Sequence, residues 1–175
     1  MRRTRFNQCY CSMARVIDLL GDWWTPLVLR ECFYGIKRFG DFEARLGIGK
    51  NILTQRLERL VRDGLLQRTP YQQRPVRHEY TLTPMGRDFF PVICALLRWG
   101  DDWLAEPEGP AMQLVDRQTG QPIRPVVVDQ NTGKKLEARD VTPVPGPGLP
   151  QNLHEEARRY FAGAPLLPTR SELPH

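Results

Sequence analysis

The 175-residue sequence predicts an α+β chain, mainly α, in which a winged helix-turn-helix domain is followed by a small β-ribbon-like extension. Three observations point there. Residues 38–82 read, in order, as a short helix, a tight turn, a longer helix and a two-stranded hairpin. Positive charge gathers on the N-terminal side, with 15 Lys/Arg against 8 Asp/Glu in residues 1–80 and 10 against 12 in residues 81–175. After a linker rich in Pro and Gly, a pattern repeats with a period of 13 residues.

Taken in order, residues 1–10 are a basic arm, expected to be flexible as a bare terminus. Residues 11–105 are expected to form the DNA-binding and dimerisation domain. Its first helix spans Cys11 to Leu20, with Ser12 as N-cap, Met13, Val16, Ile17 and Leu20 as the apolar face, and Gly21 as its end. Trp23 and Trp24 open a core segment. Thr25 then caps a second helix with Pro26 at its first position; Leu27, Val28, Leu29, Cys32 and Phe33 supply its buried faces.

The helix after Gly47-Ile48-Gly49 carries the functional argument. Leu53, Leu57, Leu60 and Val61 fall at i, i+4, i+7 and i+8, which is one buried helical face. Its other positions are Lys50, Asn51, Thr54, Gln55, Glu58, Arg59 and Arg62. Asn, Gln and Arg can pair bidentately with base edges, and Lys and Arg neutralise phosphates. Lys50, Asn51, Thr54, Gln55 and Arg59 are the expected major-groove readers, with Arg56 and Arg62 nearer the phosphates. Gly64 stands where a helix end wants a positive φ. Strands 65–69 and 79–82 form the wing, and Gln72, Gln73, Arg74, Pro75 and Arg77 lie between them with no acidic residue before Glu79. Arg74 and Arg77 suit a phosphate backbone or a minor groove, and Arg38 completes the DNA-binding set.

Thr83-Pro84 should start a long helix to about Ala105, with Thr83 as N-cap and a kink at Pro91. Met85, Phe89, Val92, Ile93, Leu96, Leu97 and Trp103 make a stripe too wide for so small a domain to cover, which predicts pairing with a second copy. A two-fold dimer sets its recognition helices one DNA turn apart, roughly 34 Å, and so reads a palindromic double-stranded operator. In residues 112–141, Asp116…Thr119-Gly120 matches Asp129…Thr132-Gly133. Each copy reads as two short strands around a Thr-Gly turn. The pattern resembles the knuckles of a zinc ribbon with Asp and Thr in the Cys positions, a poor zinc cage, so a metal-free ribbon held by packing is expected. Residues 142–175 hold a Pro-rich linker, a short helix with an Asn152…Glu155 capping box, and a loose tail.

Residues from about Cys11 to Leu104 resemble the HxlR family of winged-helix transcriptional regulators, which are MarR-like. The resemblance rests on Cys11, Leu20-Gly21, Trp24-Thr25, Leu27-Val28-Leu29-Arg30, Gly35, Arg38-Phe39, Phe42, Leu53-Thr54-Gln55-Arg56-Leu57, Leu60, Asp63-Gly64-Leu65-Leu66, Tyr80-Thr81-Leu82-Thr83 and Gly86. Gly49 stands where the family often has a Ser cap, and Trp23 where a basic residue is usual. The resemblance implies a homodimeric transcriptional regulator, most often a repressor. It also implies a redox- or electrophile-sensing role for Cys11, with Cys9 beside it. Cys11 stands at a predicted helix N-terminus, where the positive end of the helix dipole favours a thiolate. The plainer reading is an unreactive thiol beside the dimer interface.

Four cysteines without a disulfide spacing, and an N-terminus without an apolar signal segment, predict a reduced, cytoplasmic chain. No run of 18 apolar residues predicts a membrane span. No cofactor or metal is expected. An enzyme is not expected either: there is no Gly-rich phosphate loop and no H-E-x-x-H, and His78, His154 and His175 lie far apart. A winged helix used only for protein assembly is the alternative. A small-molecule effector beside Trp23 or Trp24, between the long helix and the first two, is the other expected partner.

Overall fold

The structure, a computed structural model, describes residues 11–162, with side chains described to Arg159. The predicted arm, Cys9 included, and the predicted tail lie outside these residues. The chain divides into two units with the break between Met112 and Gln113.

In the first unit, α1 (Ser12–Leu20), α2 (Trp24–Phe33), α3 (Phe39–Leu46) and α4 (Lys50–Arg62) precede the hairpin β1 (Leu66–Gln73) and β2 (Val76–Leu82). Then come α5 (Pro84–Arg87) and α6 (Phe90–Trp103). The core is Val28, Leu29 and Cys32 of α2, Phe42 of α3, Ile48 of the turn, Leu53, Leu57 and Leu60 of α4, Leu65, Leu66 and Ile93. Every predicted apolar position of α4 except half-buried Val61 is fully inside. The turn into α4 is closed by Gly47 at φ 61°, a left-handed conformation that a Cβ disfavours.

Helix starts differ from expectation. Ser12 is the first helical residue; Cys11 takes the cap position, without a side-chain capping bond. Thr25 does not cap α2. The backbone N–H groups of Trp24 and Thr25 donate to the Asp22 carboxylate at 2.9 and 3.3 Å. The physical reason is reach: a short carboxylate two or three residues upstream meets the free N–H groups, while Thr25 is already inside the first turn and buried. Trp24 packs on the core, but Trp23 is 77% exposed and not a core residue.

The wing is longer than predicted, with both strands running to the Arg74-Pro75 turn and a register irregularity between Pro70 and Gln72. Proline lacks an N–H, so a bulge beside Pro70 is the local solution. Arg38 bridges to Glu79, and the N–H of Tyr80 donates to the carbonyl of Lys37 at 2.8 Å, so residues 37–38 flank β2 through one isolated bridge outside the two-stranded sheet.

The expected long helix is two helices. Thr83 caps α5 as predicted, its hydroxyl accepting from the N–H of Gly86 at 3.0 Å. Instead of kinking a continuous helix, Pro91 sits in the first turn of α6, where its missing N–H leaves no gap. Gly86 allows the break: a Cβ there would lie 2.1 Å from the carbonyl oxygen of Leu65.

In the second unit, the ribbon strands reduce to single bridges, Val115 with Pro122 and Val128 with Lys135. The expected packing is not what holds the turns, since Val126, Val127 and Val128 are about half exposed. The Asp116 carboxylate accepts from the N–H groups of Gln118 and Thr119 and from the Thr119 hydroxyl, at 2.8–3.0 Å. Asp129 accepts from the N–H of Asn131 at 3.1 Å and the Thr132 hydroxyl at 2.6 Å. These bonds favour the ionised form and hold both carboxyls below their ordinary values, Asp116 chiefly through the Thr119 N–H and Asp129 through the Thr132 hydroxyl. The repeated Asp and Thr thus tie their own turns. Further on, a 3-10 turn (Gln151–Leu153) leads into α7 (His154–Ala162). Asn152, expected to cap the helix, lies inside that turn, and α7 starts two residues later.

Candidate nucleic-acid interface

On α4, Lys50, Asn51, Thr54, Gln55, Glu58 and Arg62 are exposed; Asn51, Gln55, Glu58 and Arg62 lie on the side opposite Leu53, Leu57 and Leu60, with Lys50 and Thr54 on its flank. The Thr54 hydroxyl donates back to the Lys50 carbonyl at 2.9 Å. Lys50 is 3.9 Å from Glu43 and Arg62 is 3.2 Å from Asp63; both cations keep about 70% of their side chains in solvent, so the pairs are loose and exchangeable. Asn51 and Gln55, one turn apart, carry the groups that match adenine edges.

Two of the candidates on α4 are turned inward. Arg56 pairs with Asp22, the residue that caps α2, and its side chain is 22% exposed. Arg59 bonds Asp63 at 3.2 Å and donates to the main-chain carbonyl of Asp18 in α1. Arg56 stands on the flank of the buried side of α4, while Arg59 stands further round the helix; both are half-buried where α4 meets α1 and the start of α2. There the apolar stem of an arginine lies along packed surface while its charged head seeks the nearest acceptor. These two arginines tie the helix to α1 and to the start of α2, and their guanidiniums are not presented with the outer face. Sequence reasoning counted them by residue type; what separates them is the acceptors that Asp18 and Asp22 bring within reach, which residue type and helical phase do not show.

The wing contributes Arg68, Arg74 and Arg77, all exposed. Arg38 is engaged at the base of the wing: its guanidinium donates to Glu79 at 3.0 Å and lies 4.5 Å from the centroid of the Tyr71 ring. Beside this pair opens a cleft of about 400 Å³ between the start of α3 and the wing. The structure therefore brings the outer face of α4 and a cationic hairpin into one domain, while Arg56 and Arg59 serve as its internal ties.

Sequence reasoning missed Glu31, whose side chain is 1% exposed between Arg30, at 2.7 Å, and Arg45 of α3. Burial pushes its carboxyl up, but the hydrogen bonds and charges of Arg45 and Arg30 more than offset this and hold it below its ordinary value. Its place beside the predicted buried residue Cys32 was the available signal. Among the thiols, burial pushes Cys32 up to about 12 and raises Cys94. Cys11 is exposed.

A mainly helical domain with a two-stranded antiparallel sheet, built as helix-turn-helix plus wing, defines a transcriptional regulator of the helix-turn-helix type. The chain belongs to the HxlR-like helix-turn-helix family, whose family model matches residues 19–108. It is 44% identical over 142 residues to the uncharacterized HTH-type transcriptional regulator Rv3095 of Mycobacterium tuberculosis, covering 81% of this chain and 90% of that protein. It is 41% identical to the uncharacterized HTH-type transcriptional regulator sll1512 of Synechocystis, over 55% of this chain and 72% of the relative. Among solved structures it is similar to PA1607, described as a transcription factor, with a TM-score of 0.71 at 39% identity, over 79% of this chain and 96% of that one. It is also similar to the reduced form of the redox regulator HypR, with a TM-score of 0.50 at 30% identity, over 53% of this chain and 92% of that one. The likeness to Rv3095 spans more residues than the family model does, so it extends beyond the winged domain.

Proposed function

We propose that the chain is a cytoplasmic, homodimeric repressor that binds a palindromic DNA operator and is released from it by a thiol oxidant or by a small molecule. One observation carries the DNA reading: Lys50, Asn51, Thr54, Gln55 and Arg62 are all exposed on α4 outside its buried stripe, in the same domain as a wing bearing Arg68, Arg74 and Arg77. Asn51, Thr54 and Gln55 meet base edges; Lys50, Arg62, Arg74 and Arg77 meet phosphates. Arg38 positions the wing through Glu79. The dimer reading is supported by two exposed apolar stripes, Met13, Val16 and Ile17 on α1 and Val92, Leu96 and Trp99 on α6. The signal reading is supported by the exposed Cys11 and by the likeness to a redox regulator. The fold and its relatives favour regulation over catalysis.

The test is fluorescence anisotropy of the purified protein on DNA flanking its own gene, first in reductant and then with a mild thiol oxidant. Binding that falls steeply with salt, is lost on oxidation, and becomes oxidant-insensitive in Cys11→Ser is the expected outcome. Binding indifferent to oxidant leaves the small-molecule arm. Binding no tighter than to random DNA overturns the sequence-specific reading and favours an assembly role.

A further inference from the structure

We propose that the cleft at the base of the wing is a binding site for a small planar organic anion of the aromatic carboxylate class, and that the anion competes with DNA there. The proposal deepens the regulator reading by naming the effector's class and site; its regulatory consequence rests on that reading, while binding itself does not.

Three features of the cleft carry it. The first is size. About 400 Å³ lies within the range of small-molecule sites and is several times the volume of one phosphate group. The second is the wall. Phe39, Tyr71 and Tyr80 line it together with Arg38, Arg77 and His78, and no acidic residue does. Aromatic faces take a planar ring by offset stacking, and a guanidinium takes a carboxylate bidentately. The third is the state of the two arginines. Arg38 is fixed by Glu79 at 3.0 Å and by the Tyr71 ring at 4.5 Å, so one wall is held in place before a ligand arrives. Among the described residues, no carboxylate pairs with Arg77, whose charge is therefore available.

The location gives the consequence. The cleft spans the start of α3 and both wing strands, and it contains Arg38 and Arg77. An anion seated on Arg77 removes a cation from the DNA face and holds the wing to α3. Ligand and DNA therefore exclude one another, without any movement of α4.

The experiment uses the full chain without DNA, titrated with benzoate by calorimetry and followed by backbone amide shifts. Benzamide, which keeps the ring and loses the charge, and cyclohexanecarboxylate, which keeps the charge and loses the ring, are the matched probes, with inorganic phosphate as a fourth. The expected result is benzoate binding with shifts centred on residues 38–40 and 71–80. Both organic controls and phosphate should bind at least 10-fold more weakly. Tyr71→Ala should weaken benzoate at least 10-fold with its amide spectrum otherwise native. Gly40 also lines the cleft, and a Cβ there meets nothing within 4 Å, so Gly40→Val is a second variant that narrows the site without relying on Tyr71. Shifts elsewhere, equal binding of cyclohexanecarboxylate, or benzoate affinity unchanged in both variants would overturn the proposal. So would phosphate binding as tightly as benzoate, which would make the cleft a site for the DNA backbone. Because the DNA arm is measured separately, by anisotropy, absence of specific DNA binding overturns the regulator reading and leaves the cleft result standing on its own.

Discussion

At the scale of single residues, charge type and charge use part company. Arg56, Arg59 and Arg62 share one helix, yet two of them are tied to Asp22 and Asp18 and only Arg62 reaches out. Gln55→Ala should therefore change which operator sequence is preferred, by roughly 1–3 kcal/mol at one base pair. Arg74→Ala should weaken all sequences alike and flatten the salt slope by about one unit. Anisotropy on an operator and on single-base variants separates the two; a Gln55→Ala protein with the parent's ranking of sites would place the reading face elsewhere. Glu31 gives a test of stability. Replacing it by Gln leaves Arg30 and Arg45 without their shared anion and should lower stability by about 1–3 kcal/mol at neutral pH, discounted because both arginines reach solvent. Its folded carboxyl lies below the ordinary value of about 4.5, so its contribution is complete above that pH and is lost as pH falls through the lowered value. Urea unfolding at stepwise lower pH should show the gap between wild type and Glu31→Gln closing on the acid side. A gap that stays constant through that range refutes the linkage.

At the scale of elements, backbone demands decide where helices begin and end. Asp22 starts α2 because its carboxylate reaches two N–H groups, and Gly86 lets α5 turn against the Leu65 carbonyl. Two glycines in helices should respond oppositely to alanine. Gly40→Ala adds a methyl that meets nothing and removes unfolded-state freedom, so it should stabilise by about 0.5–1 kcal/mol. Gly86→Ala drives a Cβ to 2.1 Å from a backbone oxygen and should destabilise by about 2 kcal/mol or more. Thermal unfolding of the pair checks both signs together, and equal effects would contradict this account of the α5 break. The extension shows side chains meeting backbone demands in the same way. Asp116 and Asp129 each close a turn by accepting hydrogen bonds from backbone N–H groups two or three residues on.

At the scale of the whole molecule, α6 has two apolar faces, and α1 has one that no element among the described residues covers. Ile93 and Cys94 face the core, while Val92, Leu96 and Trp99 run along another side at i, i+4 and i+7 and stay 40–58% exposed. Covering that stripe with a second copy is the simplest solution. Leu96→Asp should yield a folded monomer by light scattering, with operator affinity reduced at least ~100-fold because two half-sites no longer bind as one. A Leu96→Asp protein that remains dimeric would place the interface elsewhere.

Much of the chain was legible from local rules. The 3.6-residue spacing of Leu53, Leu57 and Leu60 located α4 and its buried face; the Gly47 turn, the Thr83 cap and the wing followed from residue types whose backbone preferences act within a few positions. These features depend on near neighbours, so sequence alone determined them. Which arginines of α4 face outward, that Trp23 lies in solvent, that Glu31 is buried between two cations, and that Arg38, Tyr71 and Arg77 share one cleft depend on residues tens of positions apart. Arg59 and Asp18 are 41 apart in sequence, as are Arg38 and Glu79. Only the tertiary structure decided these, because the direction of a long side chain is set by whichever partner the packed elements bring within reach.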